Sequence, residues 1–111
     1  VVIPGTVREI RKCAFKGCGK LKAVEFENGC ALRKIGSEAF YGSGLESFIS
    51  PLSLRTIEGR AFAYCKHLQR IELNEGLEEI GDRCFEGSSI EQLMIPASVK
   101  RVGHYVFCDC P

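Results

Sequence analysis

Five phenylalanines, Phe15, Phe40, Phe62, Phe85 and Phe107, follow one another at steps of 25, 22, 23 and 22 residues. An aliphatic residue precedes each by five positions (Ile10, Ile35, Ile57, Ile80 and Val102) and keeps the same steps. The clearest unit runs from Ile57 through Ala61-Phe62, Cys65, Leu68 and Ile71 to Leu73. A fixed period in this range is the mark of a solenoid, because a unit this short buries its apolar face only against the next unit. The 111 residues then amount to about four and a half coils, and 45% hydrophobic content supplies a continuous core.

Aligned coil on coil, the sequence yields columns. A first strand reads Leu21/Val24/Phe26, Leu45/Phe48/Ser50, Leu68/Ile71/Leu73 and Ile90/Leu93/Ile95. A turn follows, carrying Pro4, Glu27, Pro51, Asn74 and Pro96 at matching places. Proline suits it because proline cannot donate to a strand ladder. A second apolar pair comes next: Val7/Ile10, Leu32/Ile35, Leu54/Ile57, Leu77/Ile80 and Val99/Val102. The Ala-Phe segments, such as Cys13-Ala14-Phe15-Lys16 before Gly17, read as one or two turns of helix stopped by glycine. Two departures interrupt the pattern. Asn28-Gly29-Cys30-Ala31 holds two extra residues and predicts a wider loop on one edge. Ser50 stands where the other coils carry Ile, Phe or Leu. A buried hydroxyl alone is costly, so either it bonds nearby backbone or the strand shifts and Ile49 or Leu52 supplies cover.

Seven cysteines do not form a disulfide framework in this arrangement. Cys18, Cys65 and Cys110 share a column with Ser43 and Ser88, which describes a small, enclosed site. Strands stack at about 4.8 Å, so cysteines two coils apart lie near 10 Å. A bridge needs Cα atoms within about 7 Å. Cys84 replaces Ala14, Ala39 and Ala61 and reads as a small buried hydrophobe. Cys18, Cys65 and Cys84 are therefore expected to be buried and unpaired, with Cys13, Cys30 and Cys108 more open.

Charge and motifs exclude several functions. A net charge of +1 gives no strong pull toward nucleic acid or anionic membranes. No apolar run approaches the roughly 18 residues of a membrane-spanning helix, and no signal peptide is visible. Catalysis needs convergent groups, yet His67 and His104 stand in different columns of different coils. The chain has no G-x-S-x-G, phosphate loop or H-E-x-x-H. No cofactor is implied, and an enzyme would need a catalytic domain outside this segment. His104, Cys108 and Cys110 form H-x-x-x-C-x-C, but zinc requires a fourth ligand, and His104 aligns with the solvent positions Lys12, Ser37, Gly59 and Asp82. No metal site is expected there. Arg8, Arg33, Arg55 and Lys100 make a basic column broken by Glu78. Its neighbours Glu9, Lys34, Thr56, Glu79 and Arg101 are mixed, which suits a solvated face.

The more informative exposed positions flank the inward residues of the first strand. Val2, Glu25, Ile49, Glu72 and Met94 form one outward ladder, apolar alternating with acidic, and Arg70, Asn74 and Gln92 lie beside it. Single exposed apolar residues are ordinary, whereas three in one ladder suggest a contact surface. The ligand-contact surface assigned from sequence is Val2, Glu25, Ile49, Arg70, Glu72, Gln92 and Met94.

The pattern L-x-x-I-x-[IL]-P-x-x-V-x-x-I-G-x-x-A-F-x-x-C resembles the BspA-like (Treponema pallidum type) leucine-rich repeat. It is clearest over Ile90–Phe107, with Ile95-Pro96-Ala97-Ser98-Val99, and over Ile35-Gly36-Ser37-Glu38-Ala39-Phe40. The resemblance covers essentially the whole chain. It departs from the commoner leucine-rich consensus, whose Asn or Cys ladder is replaced here by Gly29, Ser53, Gly76 and Ser98. It implies a right-handed α/β leucine-rich-repeat solenoid of about four to five coils, with a parallel β-sheet on one face and short helices on the other. It also implies surface exposure and adhesion or protein binding, as the family's occurrence in surface and secreted proteins suggests. The leading expectation is non-catalytic recognition of a protein ligand through the strand face. The alternative is an intracellular scaffold or regulatory repeat segment, which unpaired cysteines favour. Val1-Val2-Ile3-Pro4 matches Leu93-Met94-Ile95-Pro96, so residues 1–111 begin inside a strand and end inside a repeat, neither resembling a polar cap. They are read as one uncapped segment of a longer repeat protein, expected to self-associate or fray at its ends.

Overall fold

Ile10, Ile35, Ile57, Ile80 and Val102 lie side by side, each one strand away from the next. The computed structural model describes residues 1–107, and within them the chain winds as a parallel-strand solenoid of about four turns. The aliphatic column sits on strands β2 (Glu9–Ile10), β4 (Lys34–Ile35), β6 (Thr56–Ile57), β8 (Glu79–Ile80) and β9 (Arg101–Val102). They form one parallel sheet in the order β2-β4-β6-β8-β9. Each strand offers one outward residue and one aliphatic residue, so a slip of one position would turn the aliphatic row to solvent.

The first strand column gives shorter ladders. Strand β1 (Val2–Ile3) pairs with β3 (Glu25–Phe26), and β5 (Ser47–Ile49) pairs with β7 (Arg70–Glu72). No ladder joins β3 to β5 among the described residues. The sequence placed the single main sheet on this column. The continuous sheet forms instead on the other, and it does so although the two-residue insertion lies between the turn and β4. Two extra residues follow Phe26, and the strand face opens at that coil.

No helix occurs among the described residues, which corrects the expectation for the Ala-Phe segments. Phe15, Phe40, Phe62 and Phe85 each lie between two left-handed residues, and Phe107 follows one. Two positions before it are Cys13, Glu38, Arg60, Arg83 and Tyr105, with φ of 60, 56, 56, 55 and 58°. Two positions after it are Gly17, Gly42, Tyr64 and Gly87, with φ of 72, 64, 56 and 69°. A right-handed helix cannot pass through such residues. Successive turns form instead, such as Ala61 N–H to Glu58 O (3.3 Å) and Cys65 N–H to Phe62 O (3.4 Å). The alternate amides point along the stack. Phe15 N–H donates to Ala39 O (2.7 Å), Phe40 to Ala61 O (2.8 Å) and Phe62 to Cys84 O (2.9 Å). A helix is about 10 Å wide and would force neighbouring coils apart, whereas a ladder of turns keeps strand spacing on this side too.

That spacing lets the phenyl rings stack. Phe15, Phe40, Phe62, Phe85 and Phe107 follow one another with centroids 5.3, 5.2, 5.6 and 5.8 Å apart and planes within 15° of parallel. Phe40, Phe62 and Phe85 are wholly buried, among Leu32, Leu54 and Leu77 from the same three coils. Close coil contact also sets a size limit: a Cβ on Gly36 would sit 2.6 Å from the backbone nitrogen of Lys12.

Ser50 keeps its buried place by hydrogen bonding. Its hydroxyl donates to Asn74 Oδ1 (2.7 Å) and accepts from Asn74 N–H (2.8 Å). Asn74 is buried, contrary to its assignment as an exposed neighbour of the outward ladder. Its amide nitrogen spans Leu52 O (3.2 Å), Leu54 O (2.9 Å) and Glu75 O (3.2 Å). Neither Ile49 nor Leu52 turns inward. Serines stitch the next turn position, Ser53 donating to Leu32 O (2.6 Å) and Ser98 to Leu77 O (2.8 Å).

Cys65 and Cys84 are buried and unpaired, as expected. Cys18 is exposed instead, because the column encloses a residue only between two coils and Cys18 lies in the outermost one. Cys108 and Cys110 lie outside the described residues, and with them the H-x-x-x-C-x-C motif and the end of the last coil.

Candidate strand-face recognition surface

The outward ladder is present where the strands pair. Val2 stands opposite Glu25, and Ile49 opposite Glu72. Arg70 stands opposite Ser47 and forms an ion pair with Glu72 two residues along its own strand. Both members are more than half exposed, so this pair contributes little stability and mainly sets local charge. Gln92 and Met94 are exposed but lie in a stretch without a strand, so pairing does not bring them to the ladder. Val2, Ile49 and Met94 are 58, 51 and 88% exposed.

Glu25 and Ile49 also border a groove of about 510 Å³ between coils two and three. It opens where β3 and β5 fail to pair. Below it, Phe26 meets Phe48 edge to face, with centroids 5.8 Å apart and planes at 89°, in contrast to the parallel stack behind. Leu52, 80% exposed, stands on the rim. The widened loop Asn28-Gly29-Cys30 closes one side, and Ser53 approaches Cys30 at 3.9 Å. Sequence reasoning missed Leu52 and Asn28 as groove residues. The signal was the two-residue insertion, which was visible, though its effect on pairing was not.

The basic column is partly neutralised. Arg55 meets Glu78 at 4.0 Å, and the neighbouring outward positions pair as Lys34–Glu58 (3.7 Å) and Arg101–Glu79 (3.8 Å). On the turn side Lys16 and Glu38 bond at 2.7 Å; the mutual hydrogen bond raises the Lys16 pKa and lowers that of Glu38. Burial pushes the Cys65 and Cys84 thiols up, which makes them poor nucleophiles. No group of three His, Cys, Asp or Glu side chains able to hold a metal occurs among the described residues. No helix there is long and apolar enough to cross a membrane.

A family model, the BspA type leucine-rich repeat region, matches residues 1–111 in six copies. Solved structures share the fold. The pneumococcal vaccine antigen PcpA is 33% identical with a TM-score of 0.94, the match covering 98% of this chain and 27% of that one. The Treponema pallidum leucine-rich repeat protein is 33% identical with a TM-score of 0.91, over 99% of this chain and 54% of that one. A leucine-rich cell surface protein from Faecalibacterium prausnitzii is 28% identical with a TM-score of 0.69, over 99% of this chain and 36% of that one. The chain thus spans between about a quarter and a half of the solved chains it matches. No curated protein sequence matches it. The repeat spacing, the phenylalanine stack and the match along the whole length lead to one conclusion: this chain belongs to the BspA-type leucine-rich repeat family.

Proposed function

We propose that this chain is a non-catalytic recognition segment that binds a protein ligand through its strand face, as part of a surface-exposed protein. The observation that carries this reading is the outward ladder. Val2 and Ile49 stand on strands with their side chains largely in solvent, each opposite a carboxylate, and Met94, aligned with them in sequence, is exposed as well. A rigid stack presents such residues with little ordering cost on binding, and the carboxylates bias the partner toward basic patches. The surface setting rests on likeness to a vaccine antigen and a cell surface protein. One observation favours the intracellular alternative: Cys13, Cys18, Cys30, Cys65 and Cys84 are all free thiols, which reducing compartments permit.

Photo-crosslinking tests the face. Benzoylphenylalanine in place of Met94 should give discrete protein adducts that excess unlabelled chain competes away. The Ile49→Asp, Met94→Asp double variant should fail to compete while melting at the same temperature. Arg8→Glu with Arg33→Glu should compete normally. If instead the Arg8/Arg33 variant loses competition and the ladder variant keeps it, recognition runs through the basic column.

A further inference from the structure

The groove between coils two and three differs from the paired parts of the strand face. Where β1 pairs with β3 and β5 with β7, only side chains face outward. Here the coils separate without a ladder, and the opening is lined by apolar groups from both sides: Phe26 from coil two, and Ile49 and Leu52 from coil three. Ile49 and Leu52 are 51 and 80% exposed, so two large aliphatic side chains flank one cleft with nothing covering them.

The charge of the cleft is one-sided. Its lining includes Glu25 and Glu27 and no lysine, arginine or histidine. Glu27 is partly spoken for, since it accepts the Gly5 N–H at 2.6 Å. Glu25 is exposed and makes no ion pair or side-chain hydrogen bond among the described residues. Seven of the twelve other described acidic side chains do have cationic partners: Glu38 with Lys16, Glu46 with Lys22, Glu58 with Lys34, Glu72 with Arg70, Glu78 with Arg55, Glu79 with Arg101 and Glu86 with Arg83. The cleft therefore couples an uncovered apolar wall to a carboxylate that lacks a counter-charge.

We propose that this groove is the anchoring subsite of the recognition surface, taking an extended segment of a partner protein in which an aliphatic side chain is followed directly by lysine or arginine. The inference rests on the strand-face reading and narrows it to one place and one ligand chemistry. The aliphatic side chain of the segment lies between Ile49 and Leu52 over Phe26, and its basic neighbour reaches Glu25. In an extended segment, adjacent side chains point opposite ways about the backbone. The aliphatic group therefore enters the cleft while the basic one, on a longer stem, folds back to the rim. The widened loop at Asn28-Gly29-Cys30 closes one side of the cleft.

Amide chemical-shift mapping of the 111-residue chain with short blocked peptides tests this. The probe is Ac-Gly-Ser-Leu-Lys-Gly-Ser-NH2, with Leu-Glu and Ala-Lys versions as comparisons. Shifts confined to Glu25–Cys30 and Ile49–Ser53 are expected with the Leu-Lys peptide. The Leu-Glu peptide should bind roughly fivefold more weakly, and the Ala-Lys peptide about tenfold more weakly. Glu25→Lys should invert the preference, favouring Leu-Glu over Leu-Lys. Leu52→Asp, at an exposed rim position, should weaken both while leaving the melting temperature unchanged. Equal binding of Leu-Lys and Leu-Glu, or no shift in the groove, overturns the proposal. Shifts at Gln92 and Met94 alone overturn it too, but leave the strand-face reading standing. Groove shifts that follow protein concentration without peptide overturn it in favour of a second copy of this chain as the occupant.

Discussion

Phe62 is held between Phe40 and Phe85, with ring centroids 5.2 and 5.6 Å away, and none of its surface reaches solvent. Truncating it opens a cavity that neighbouring rings cannot fill without leaving their own stack. Phe62→Ala is expected to cost about 3–5 kcal/mol in urea denaturation. Tyr64, two residues on, is only partly buried and leans on Tyr41 at 5.5 Å. Tyr64→Ala should cost about 1 kcal/mol, the value of one partly covered aromatic pair. Asn74 is a different kind of keystone. Its side chain reaches two backbone carbonyls of the preceding coil and holds the Ser50 hydroxyl. Asn74→Ala should cost about 2–3 kcal/mol, because it strands buried acceptors, and Ser50→Ala about 1–3 kcal/mol, because it leaves the buried Asn74 N–H and Oδ1 without their partner. The phenylalanine column was legible because one residue type recurs in every coil. Asn74 was not, because its column otherwise holds proline and glutamate, and its burial depends on a serine 24 residues earlier.

The turn ladder around each phenylalanine is the element least legible in the sequence. Glycine after Ala-Phe-Lys reads as a helix stop, and Gly17, Gly42 and Gly87 do adopt left-handed φ. What settles against a helix is the matching φ at Cys13, Glu38, Arg60 and Arg83. None of those side chains advertises such a backbone, which costs roughly 1–2 kcal/mol per residue. The compensation is the set of amide bonds to the next coil, which no local pattern encodes. Far-ultraviolet circular dichroism should accordingly show no helical double minimum, and a pronounced one would refute the ladder. Glycines in the two settings should respond differently. Gly42→Ala meets open space, so only the φ penalty applies, about 1 kcal/mol. Gly36→Ala drives a Cβ into the backbone of the preceding coil and should cost about 3 kcal/mol. The groove was illegible for a related reason: an insertion is visible in sequence, but whether strand pairing survives beside it is decided by packing between coils that no local pattern encodes.

Across the whole molecule, protection depends on having a coil on each side. Ala39, Phe40, Ala61 and Phe62 are sealed, whereas Phe15, Val102 and Phe107 in the outer coils are not. Thiol labelling without denaturant reads this gradient directly. Among the described cysteines Cys18 should react first and Cys65 and Cys84 only after unfolding, since burial both shields them and raises their pKa. Labelling of Cys84 at the rate of Cys18 would mean that the coils open together. The constant step has a consequence for how such a chain acquires its structure. Every coil finds its partner about 22 to 25 residues away, however many coils there are. The entropy of closing a loop depends on its length, so each addition meets the same modest barrier as the last. A chain emerging from the ribosome can lay down one coil per period of synthesis, each on a template already set, and chain length then adds time in proportion rather than difficulty.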